Sequence, residues 1–225
     1  LVRSRGLGDV YKRQSQLPAK ADRKEFFERH GFDLNKKLVS VFPGSRVFEL
    51  KQLMGVFIRT AKDLQQKHPD LQFCISHAPN LPDDVYNKYL KDTDFKVIKG
   101  ENQALLSVSD ALILASGTVA LEAALYQTPM IIAYRGPWLF YFIYLLVRCI
   151  KMVSLPNIIC GKIIVPEILQ GDVTVRNISY NIEKLLYDNA YRAENIAGLQ
   201  GVKDLLSDKV SSIEAAEEIA KTLSL

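Results

Sequence analysis

The feature that most constrains the fold is an abrupt change from a strand pattern to a helix pattern between residues 111 and 125. An apolar run at 111–114 stops at the polar turn Ala-Ser-Gly-Thr, residues 115–118, and a helix-forming sequence follows at once. A short, wholly apolar run that leads directly into a helix is typical of a buried strand in a parallel sheet. The sequence therefore predicts an α/β architecture.

The same alternation continues along most of the chain. The predicted strands are residues 38–42, 71–76, 95–99, 111–114 and 130–133. The predicted helices before residue 171 are 21–30, 51–67, 82–90, 102–108 and 119–125. Strands that alternate with helices at this spacing form a parallel sheet with helices on both faces. Beyond Gly171 the pattern becomes helical, with predicted helices at 173–188, 191–206 and 210–223.

The turn at 115–118 has the features of an anion-binding site. The first amides of a helix lack intrahelical partners, and the helix dipole adds positive charge there. Gly117 allows close approach of a ligand, while the Ser116 and Thr118 hydroxyls suit either helix capping or phosphate oxygens. Glu122, one turn further on, is placed to accept hydrogen bonds from a ribose diol if it faces the cleft. A capped helix with a solvated glutamate is the alternative.

A second polar turn, Pro-Gly-Ser-Arg at 43–46, follows the first predicted strand. Gly44 and Ser45 are placed to present amides to a diphosphate, and Arg46 offers planar donors suited to phosphate. The alternative is a tight turn with a surface arginine and a glutamate, Glu49, favoured by the helix dipole. Because ligands of parallel sheets bind at the carboxyl ends of the strands, the two turns together predict one site.

The most apolar stretch begins at Trp138 and ends at Ile150. Its thirteen residues are too few for a bilayer core, which needs about 20. Its aromatic residues and the cations at its borders and within it, among them Arg135, Arg148 and Lys151, suit a membrane interface. A buried helix that covers the sheet is the alternative interpretation.

Two further motifs follow this stretch. Asn157, in Ser-Leu-Pro-Asn at 154–157, has a donor and an acceptor that suit a base edge or a sugar hydroxyl. The alternative is an asparagine in a proline-containing turn. The Val-Pro-Glu motif at 165–167 predicts the start of a helix with proline at its first position.

Charge and cysteine content exclude several classes of protein. The net charge is +4, but residues 1–14 contain four cations and one anion, so the remainder has a net charge of only +1. We interpret residues 1–14 as a non-native tail, with a basic arm as the alternative, and we expect no nucleic-acid partner. Three cysteines without close spacing and three scattered histidines predict neither a metal site nor a disulfide framework, and favour a reducing compartment.

Four blocks of sequence together resemble the C-terminal half of lipid-A-disaccharide synthase, a family of bacterial glycosyltransferases that make outer-membrane lipid A. They are Val-Phe-Pro-Gly-Ser-Arg at 41–46 with Glu49, Ala-Ser-Gly-Thr-Val-Ala-Leu-Glu at 115–122, Pro-Met-Ile-Ile-Ala-Tyr-Arg at 129–135, and the motifs at 154–157 and 165–167. The resemblance implies the C-terminal domain of a GT-B fold: a Rossmann-like parallel sheet with helices on both faces and a helical C-terminus.

The resemblance also implies a reaction and a set of ligand-binding residues. The family transfers 2,3-diacylglucosamine from its UDP carrier to 2,3-diacylglucosamine 1-phosphate, with inversion and without a metal or cofactor. The residues implied to line the UDP-sugar site are Gly44, Ser45, Arg46, Ser116, Gly117, Thr118, Glu122 and Asn157. Arg46 and the amides of 116–118 are implied to neutralise the diphosphate, and Glu122 to hold the ribose. A cytoplasmic location, peripheral on the inner membrane of a Gram-negative-type bacterium, and a possible homodimer follow from the same resemblance.

We expect four regions: the tail at 1–14, a linker and interdomain helix at 15–36, the nucleotide-sugar-binding domain at 37–170, and C-terminal helices at 171–225. The family's N-terminal domain, with its general base, has no counterpart here. No catalytic residue is therefore identifiable, and we expect this chain alone to be an inactive fragment. The alternatives are another GT-B enzyme of UDP-N-acetylglucosamine (a peptidoglycan transferase or a 2-epimerase), a nucleotide-sugar-binding module without catalysis, and a membrane-surface domain.

Overall fold

The computed structural model describes residues 19–91, 93–136 and 152–207. These residues form a six-stranded parallel sheet in the order β3-β2-β1-β4-β5-β6. The strands are β1 (Lys37–Phe42), β2 (Leu71–His77), β3 (Lys96–Lys99), β4 (Ala111–Ala115), β5 (Met130–Tyr134) and β6 (Glu167–Leu169). The predicted fold class, a parallel sheet with helices on both faces and a helical region after it, is confirmed.

The described helices lie close to predicted positions, except the one at Leu155–Cys160, which was not predicted as a helix. The helices are α1 (Arg23–His30), α2 (Val47–Lys67), α3 (Asp84–Leu90), α4 (Asn102–Val108), α5 (Val119–Tyr126), α6 (Leu155–Cys160), α7 (Val175–Tyr187) and α8 (Asn189–Ser207). The largest shift is at α2, which begins four residues before the predicted start at residue 51. Its third residue, Glu49, accepts a hydrogen bond from the backbone of the preceding Arg46, an arrangement that stabilises a helix start.

The prediction of a helix start at 165–167 is wrong, because this segment leads into the sixth strand. The Pro166 carbonyl accepts a hydrogen bond from Ile132 N at 2.9 Å, and Glu167 lies in register with Ile132 on β5. Proline is tolerated there because it immediately precedes a strand at the edge of the sheet, where its missing N–H breaks no ladder. The helix in this region is α6 instead, which begins after Ser154 and has Pro156 in its first turn, a position that suits proline.

The strand order places a crevice between β1 and β4. The chain adds β2 and β3 on one side of β1, then returns to add β4, β5 and β6 on the other side. The connections that follow β1 and β4 therefore leave the sheet on opposite faces, and a gap opens between their carboxyl ends. This is the position at which doubly wound sheets bind ligands.

Alternating strand residues form a separate core on each face of the sheet. On one face, Val39 and Ile113 belong to a buried cluster with α2 and α7. On the other face, Leu38 and Leu112 belong to a cluster with α1, α4, α5 and α8. Because both faces are covered, the central strands are mostly apolar, with a few buried polar residues such as Ser40 on β1, which is why each appeared in the sequence as a largely apolar run.

Helix α1, which lies in the predicted linker region, is packed on the sheet. Phe26 and Phe27 are buried in the second cluster. Arg23 forms an ion pair with Asp110 at 2.7 Å, and the same carboxylate oxygen accepts a hydrogen bond from Leu38 N at 2.8 Å. The helix ends at Gly31, which adopts the left-handed conformation that is typical of a glycine following the last helical turn.

Three predicted features lie outside the described residues: the tail at 1–14, the aromatic stretch from Trp138 to Ile150, and the helix at 210–223. Within the part of the chain that the structure describes, no helix combines the length and the apolar content needed to cross a membrane.

Replacing Phe27 by alanine tests whether α1 is an integral part of this domain. Because the side chain is fully buried, Phe27→Ala is expected to lower the free energy of unfolding by about 3–5 kcal/mol through lost burial and a cavity. Phe48→Ala is the matched control: Phe48 is 43% exposed, and we expect a loss of less than about 1 kcal/mol. Urea denaturation measures both free energies of unfolding. A loss in Phe27→Ala as small as the loss in Phe48→Ala would show that α1 is dispensable for the fold.

Candidate functional site

A cavity of about 340 Å³ occupies the crevice between the carboxyl ends of β1 and β4. It is lined by the turn after β1, by the turn after β4, by the end of β2 and by the first turns of α2, α4 and α5. Seven of the eight residues predicted for the site line this cavity: Gly44, Ser45, Arg46, Ser116, Gly117, Thr118 and Glu122. The eighth, Asn157, does not.

The turn after β1 already contains an anion, the carboxylate of Glu49. Its Oε2 accepts hydrogen bonds from Ser45 N at 2.9 Å and Arg46 N at 3.3 Å. Its Oε1 lies 3.1 Å from Nη1 of the Arg46 guanidinium. The sequence suggested that the Ser45 amide is available to a diphosphate. In the structure this amide is bonded to Glu49, because a glutamate at the third helical position reaches back to the start of its own helix.

Gly44 is required by this arrangement. Its φ is positive, in a region that favours glycine because a side chain there is strained. A Cβ atom at this position would collide with the Glu49 side chain. The absence of a side chain thus makes room for the internal carboxylate, so the main task of Gly44 in this conformation is to accommodate Glu49.

The turn after β4 is open by comparison. Ser116 N donates to Ala133 O at 3.1 Å on the neighbouring strand, which fixes the start of the turn. A Cβ atom built at Gly117 would meet no atom within 4 Å, so this glycine borders open space in the cavity. Helix α5 begins two residues later and directs the positive end of its dipole toward this turn. The turn is therefore the more favourable of the two for an anionic ligand.

Glu122 links this cavity to a second one of about 460 Å³. The second cavity is bordered by residues 100–104 and by Tyr126, and Asn102 lines both cavities. Burial, with a smaller contribution from the Glu122 carboxylate, raises the pKa of Tyr126, since both disfavour the phenolate. Ser76 Oγ donates to Asn102 Oδ1 at 2.7 Å, which fixes the asparagine between the two cavities. Asn102 was not among the residues predicted for the site, although its position after β3 at the same edge of the sheet was an available signal.

Asn157 is fully buried, and its amide group is completely used by the protein. Its Nδ2 donates to Val165 O at 3.0 Å and to Glu167 Oε1 at 2.7 Å. Its Oδ1 accepts from Ile164 N at 2.8 Å and Val165 N at 3.0 Å. Both donors and both lone pairs are satisfied, so this side chain has no remaining hydrogen-bonding capacity for a ligand in this conformation.

Glu167 extends the same network toward the cavity. Its carboxylate accepts hydrogen bonds from Val153 N, Ser154 N and Ser154 Oγ at 2.7–2.8 Å. The Val153 carbonyl lies 3.5 Å from Ser116 Oγ, so the segment held by Glu167 reaches the turn after β4. We call Ser154, Asn157 and Glu167 the Glu167 cluster. Its geometry fixes the backbone beside the cavity.

The carboxylates that line the cavity are not grouped as metal ligands. In the described ranges, no group of three or more histidine, cysteine, aspartate or glutamate side chains is placed to hold a metal ion. The positive charge that the cavity offers to an anion comes from Arg46 and from the start of α5.

Comparison with known proteins decides the family. A model of the family described as lipid-A-disaccharide synthetase matches residues 14–222. The chain belongs to the lipid-A-disaccharide synthase family. It is 34% identical over 192 residues to the lipid-A-disaccharide synthase of Anaeromyxobacter dehalogenans strain 2CP-1, a match that covers 84% of this chain and 50% of the relative. It is 36% identical over 174 residues to that of Vibrio campbellii, covering 76% of this chain and 46% of the relative. The chain thus spans about half the length of the curated relatives it matches.

Solved structures with a similar fold are more distant in sequence. Anabaena HepE in complex with UDP and glucose matches with a TM-score of 0.58 and 14% identity, over 92% of this chain and 53% of HepE. The E. coli ADP-heptose heptosyltransferase II matches with a TM-score of 0.55 and 13% identity, over 78% of this chain and 54% of the enzyme. At such identities the likeness establishes the fold alone, and it agrees with the GT-B architecture expected from the family.

Alanine substitutions at the two glycines should have different consequences, one for stability and the other for ligand binding. Gly44→Ala is expected to lower the free energy of unfolding by about 1–3 kcal/mol, because the left-handed backbone is strained and Glu49 is displaced. Gly117→Ala should change it by less than about 1 kcal/mol, yet weaken UDP binding, because the new methyl group enters the cavity. Urea denaturation and calorimetry separate the two effects. Strong destabilisation by Gly117→Ala without a binding defect would contradict this assignment.

Replacing Asn157 by aspartate tests its structural role. The substitution turns two donors into an oxygen that faces the Val165 carbonyl and the Glu167 carboxylate. We expect the free energy of unfolding to fall by about 2–4 kcal/mol. Asn87→Asp, at an exposed position on α3, is the control and should leave the free energy of unfolding nearly unchanged, as surface substitutions usually do. Equal stability of the two variants, with UDP binding lost only at position 157, would instead assign Asn157 to the ligand.

Proposed function

We propose that this chain is the nucleotide-sugar-binding half of an inverting glycosyltransferase. The reaction moves 2,3-diacylglucosamine from its UDP carrier to 2,3-diacylglucosamine 1-phosphate and yields lipid A disaccharide 1-phosphate and UDP. The observation that supports this most is the convergence of seven predicted residues on one cavity between the carboxyl ends of β1 and β4, where sheets of this kind bind ligands. Membership of the lipid-A-disaccharide synthase family supports a UDP-sugar as the ligand class of this cavity.

We infer that the diphosphate binds against the turn after β4. The start of α5 offers backbone amides and the positive end of the helix dipole, and Gly117 leaves open space for phosphate oxygens. Arg46, whose side chain is largely exposed at the opposite wall, contributes a charged donor. In the transfer step negative charge develops on the departing UDP. Donors already fixed at that position stabilise the charge without further reorganisation.

We infer that Glu122 binds the ribose and that the base extends into the second cavity. A carboxylate accepts two hydrogen bonds from a vicinal diol, and Glu122 borders both cavities. A nucleotide with its ribose at Glu122 and its diphosphate at Gly117 therefore directs its base toward residues 100–104. Asn102, between the cavities, is the polar side chain best placed to contact it.

We assign the general base and the acceptor site to the half of the family's proteins that this chain does not match. Among the described residues, two glutamates line the cavity: Glu49 is bonded to the turn after β1, and Glu122 is assigned to the ribose. Both substrates carry acyl chains, and we propose that the stretch from Trp138 to Ile150 contacts the membrane surface that holds them, on the cytoplasmic side of the inner membrane.

Calorimetry with UDP tests the assignment of the cavity. Arg46→Gln and Glu122→Gln are each expected to weaken UDP binding by roughly 5- to 30-fold, because each removes a charge-assisted hydrogen bond to the ligand. Arg176→Gln is the matched control, since this exposed arginine lies on α7 and does not line the cavity. All variants are compared at equal folded fraction by circular dichroism.

Two results would contradict the proposal. Unchanged affinity in both cavity variants would place the nucleotide elsewhere on the chain. Failure of the parent chain to bind UDP, UDP-N-acetylglucosamine or the acylated donor would remove the nucleotide-binding function from this half.

A further inference from the structure

The carboxylate of Glu49 is held inside the cavity by three donors that resemble a phosphate-binding set. They are the Ser45 and Arg46 amides and the Arg46 guanidinium, at 2.9, 3.3 and 3.1 Å. The Glu49 side chain is 15% exposed and lines the cavity. One of the two polar turns therefore already contains a fixed carboxylate, paired with the Arg46 guanidinium, when a ligand enters.

This carboxylate has little freedom to move away. Its Oε2 is bonded to two successive amides, and the glycine at position 44 leaves the space that it fills. By contrast, the opposite turn is open at Gly117. An anionic ligand thus meets available backbone donors at the start of α5, whereas the donors at the start of α2 are already bonded to Glu49. The two sides of the cavity therefore differ in their electrostatic potential.

The sugar-linked and free forms of a nucleoside diphosphate differ in the charge of the outer phosphate. In the sugar-linked form this phosphate is a diester-like group with one negative charge. In the free nucleotide it is a terminal phosphate joined only through the anhydride oxygen, and like a phosphate monoester it carries about −1.5 to −2 at pH 7. Charges closer than a Debye length, about 8 Å at physiological ionic strength, are only partly screened, and both Glu49 and the turn after β4 line one cavity of about 340 Å³. The charge of Glu49 therefore acts on a phosphate bound anywhere in it.

We propose that Glu49 is a specificity-determining residue that disfavours a terminal phosphate and thereby favours the sugar-linked donor over free UDP. The inference rests on the proposed nucleotide-sugar site. The Glu49 charge repels the terminal phosphate of the UDP product more strongly than the singly charged phosphate of UDP-sugar, so it also promotes product release. Arg46 alone would favour the more highly charged product. Glu49 offsets that preference by pairing with the guanidinium.

The experiment compares the ratio of two dissociation constants, that of UDP divided by that of UDP-N-acetylglucosamine, by calorimetry on the full 225-residue chain. Glu49→Gln removes the charge but keeps an oxygen that can accept from the Ser45 amide. Glu49→Ala removes both the charge and the acceptor of the Ser45 and Arg46 amides. Glu49→Asp keeps the charge on a shorter side chain. Because the ratio is taken within each variant, a reduced folded fraction lowers both apparent affinities alike and cancels.

We expect the ratio to fall about three- to tenfold in Glu49→Gln and in Glu49→Ala, since UDP gains more than its sugar ester. It should change by less than about twofold in Glu49→Asp, which keeps the charge. A ratio unchanged in the two neutral variants would overturn the inference, even if both ligands bind more tightly, because Glu49 would then only compete with phosphate for the amides. An equal fall of the ratio in Glu49→Asp would also overturn it. Loss of the hydrogen bonds to the Ser45 and Arg46 amides, and not loss of the charge, would then be the cause. If the parent chain binds neither ligand, it is the proposed function that fails.

Discussion

The arrangement of the site depends on the parallel pairing of β1 with β4. In their register Val39 faces Ala111 and Phe42 faces Leu114, so the two strands end at almost the same level. The turns that follow are therefore side by side, although about seventy residues separate them in the chain. Because this pair is also the place where the strand order reverses, the connecting helices diverge and leave a cavity between the turns. A shift of the β1–β4 register would displace one turn relative to the other and separate the groups that face the cavity.

The two turns resemble each other in sequence but not in physical character. Each joins an apolar strand to a helix through a glycine and a small hydroxylated residue. At Gly44 the missing side chain is needed for an internal contact with Glu49, whereas at Gly117 it leaves open space. One helix start is thus satisfied by its own chain, and the other keeps its favourable electrostatics for a ligand. A cavity with two open helix starts would bind anions more strongly but would select less between them.

The sequence was sufficient for the features that depend on local pattern, and insufficient for those that depend on distant partners. Largely apolar runs identified the four central strands, β1, β2, β4 and β5, because a strand covered on both faces has few polar side chains. β6 was missed because the preceding Pro166 resembles a helix start, and only the pairing of Glu167 with Ile132 on β5 defines the segment as a strand. Likewise, nothing in the local sequence of Asn157 indicates that the backbone of 164–165 and the Glu167 carboxylate use its whole amide. The motif at 43–46 with Glu49 is compatible with a capping box, in which the Ser45 amide donates to Glu49. It is equally compatible with phosphate binding by the same amide.

The Glu167 cluster shows how an edge strand is coupled to the central crevice. Glu167 lies on β6, two strands away from β4, yet its carboxylate holds Val153 N and Ser154 N. The Val153 carbonyl in turn lies beside Ser116 in the turn after β4. The Glu167 carboxylate accepts four hydrogen bonds, and a fully satisfied polar network of this kind rigidifies the structure around it. The strand, the loop and α6 are therefore fixed together. The motifs at 154–157 and 165–167 act on the cavity through backbone position, whereas the motifs at 43–46 and 115–118 border it directly. A sequence block can belong to a binding site in either sense, and only the hydrogen-bond partners distinguish the two.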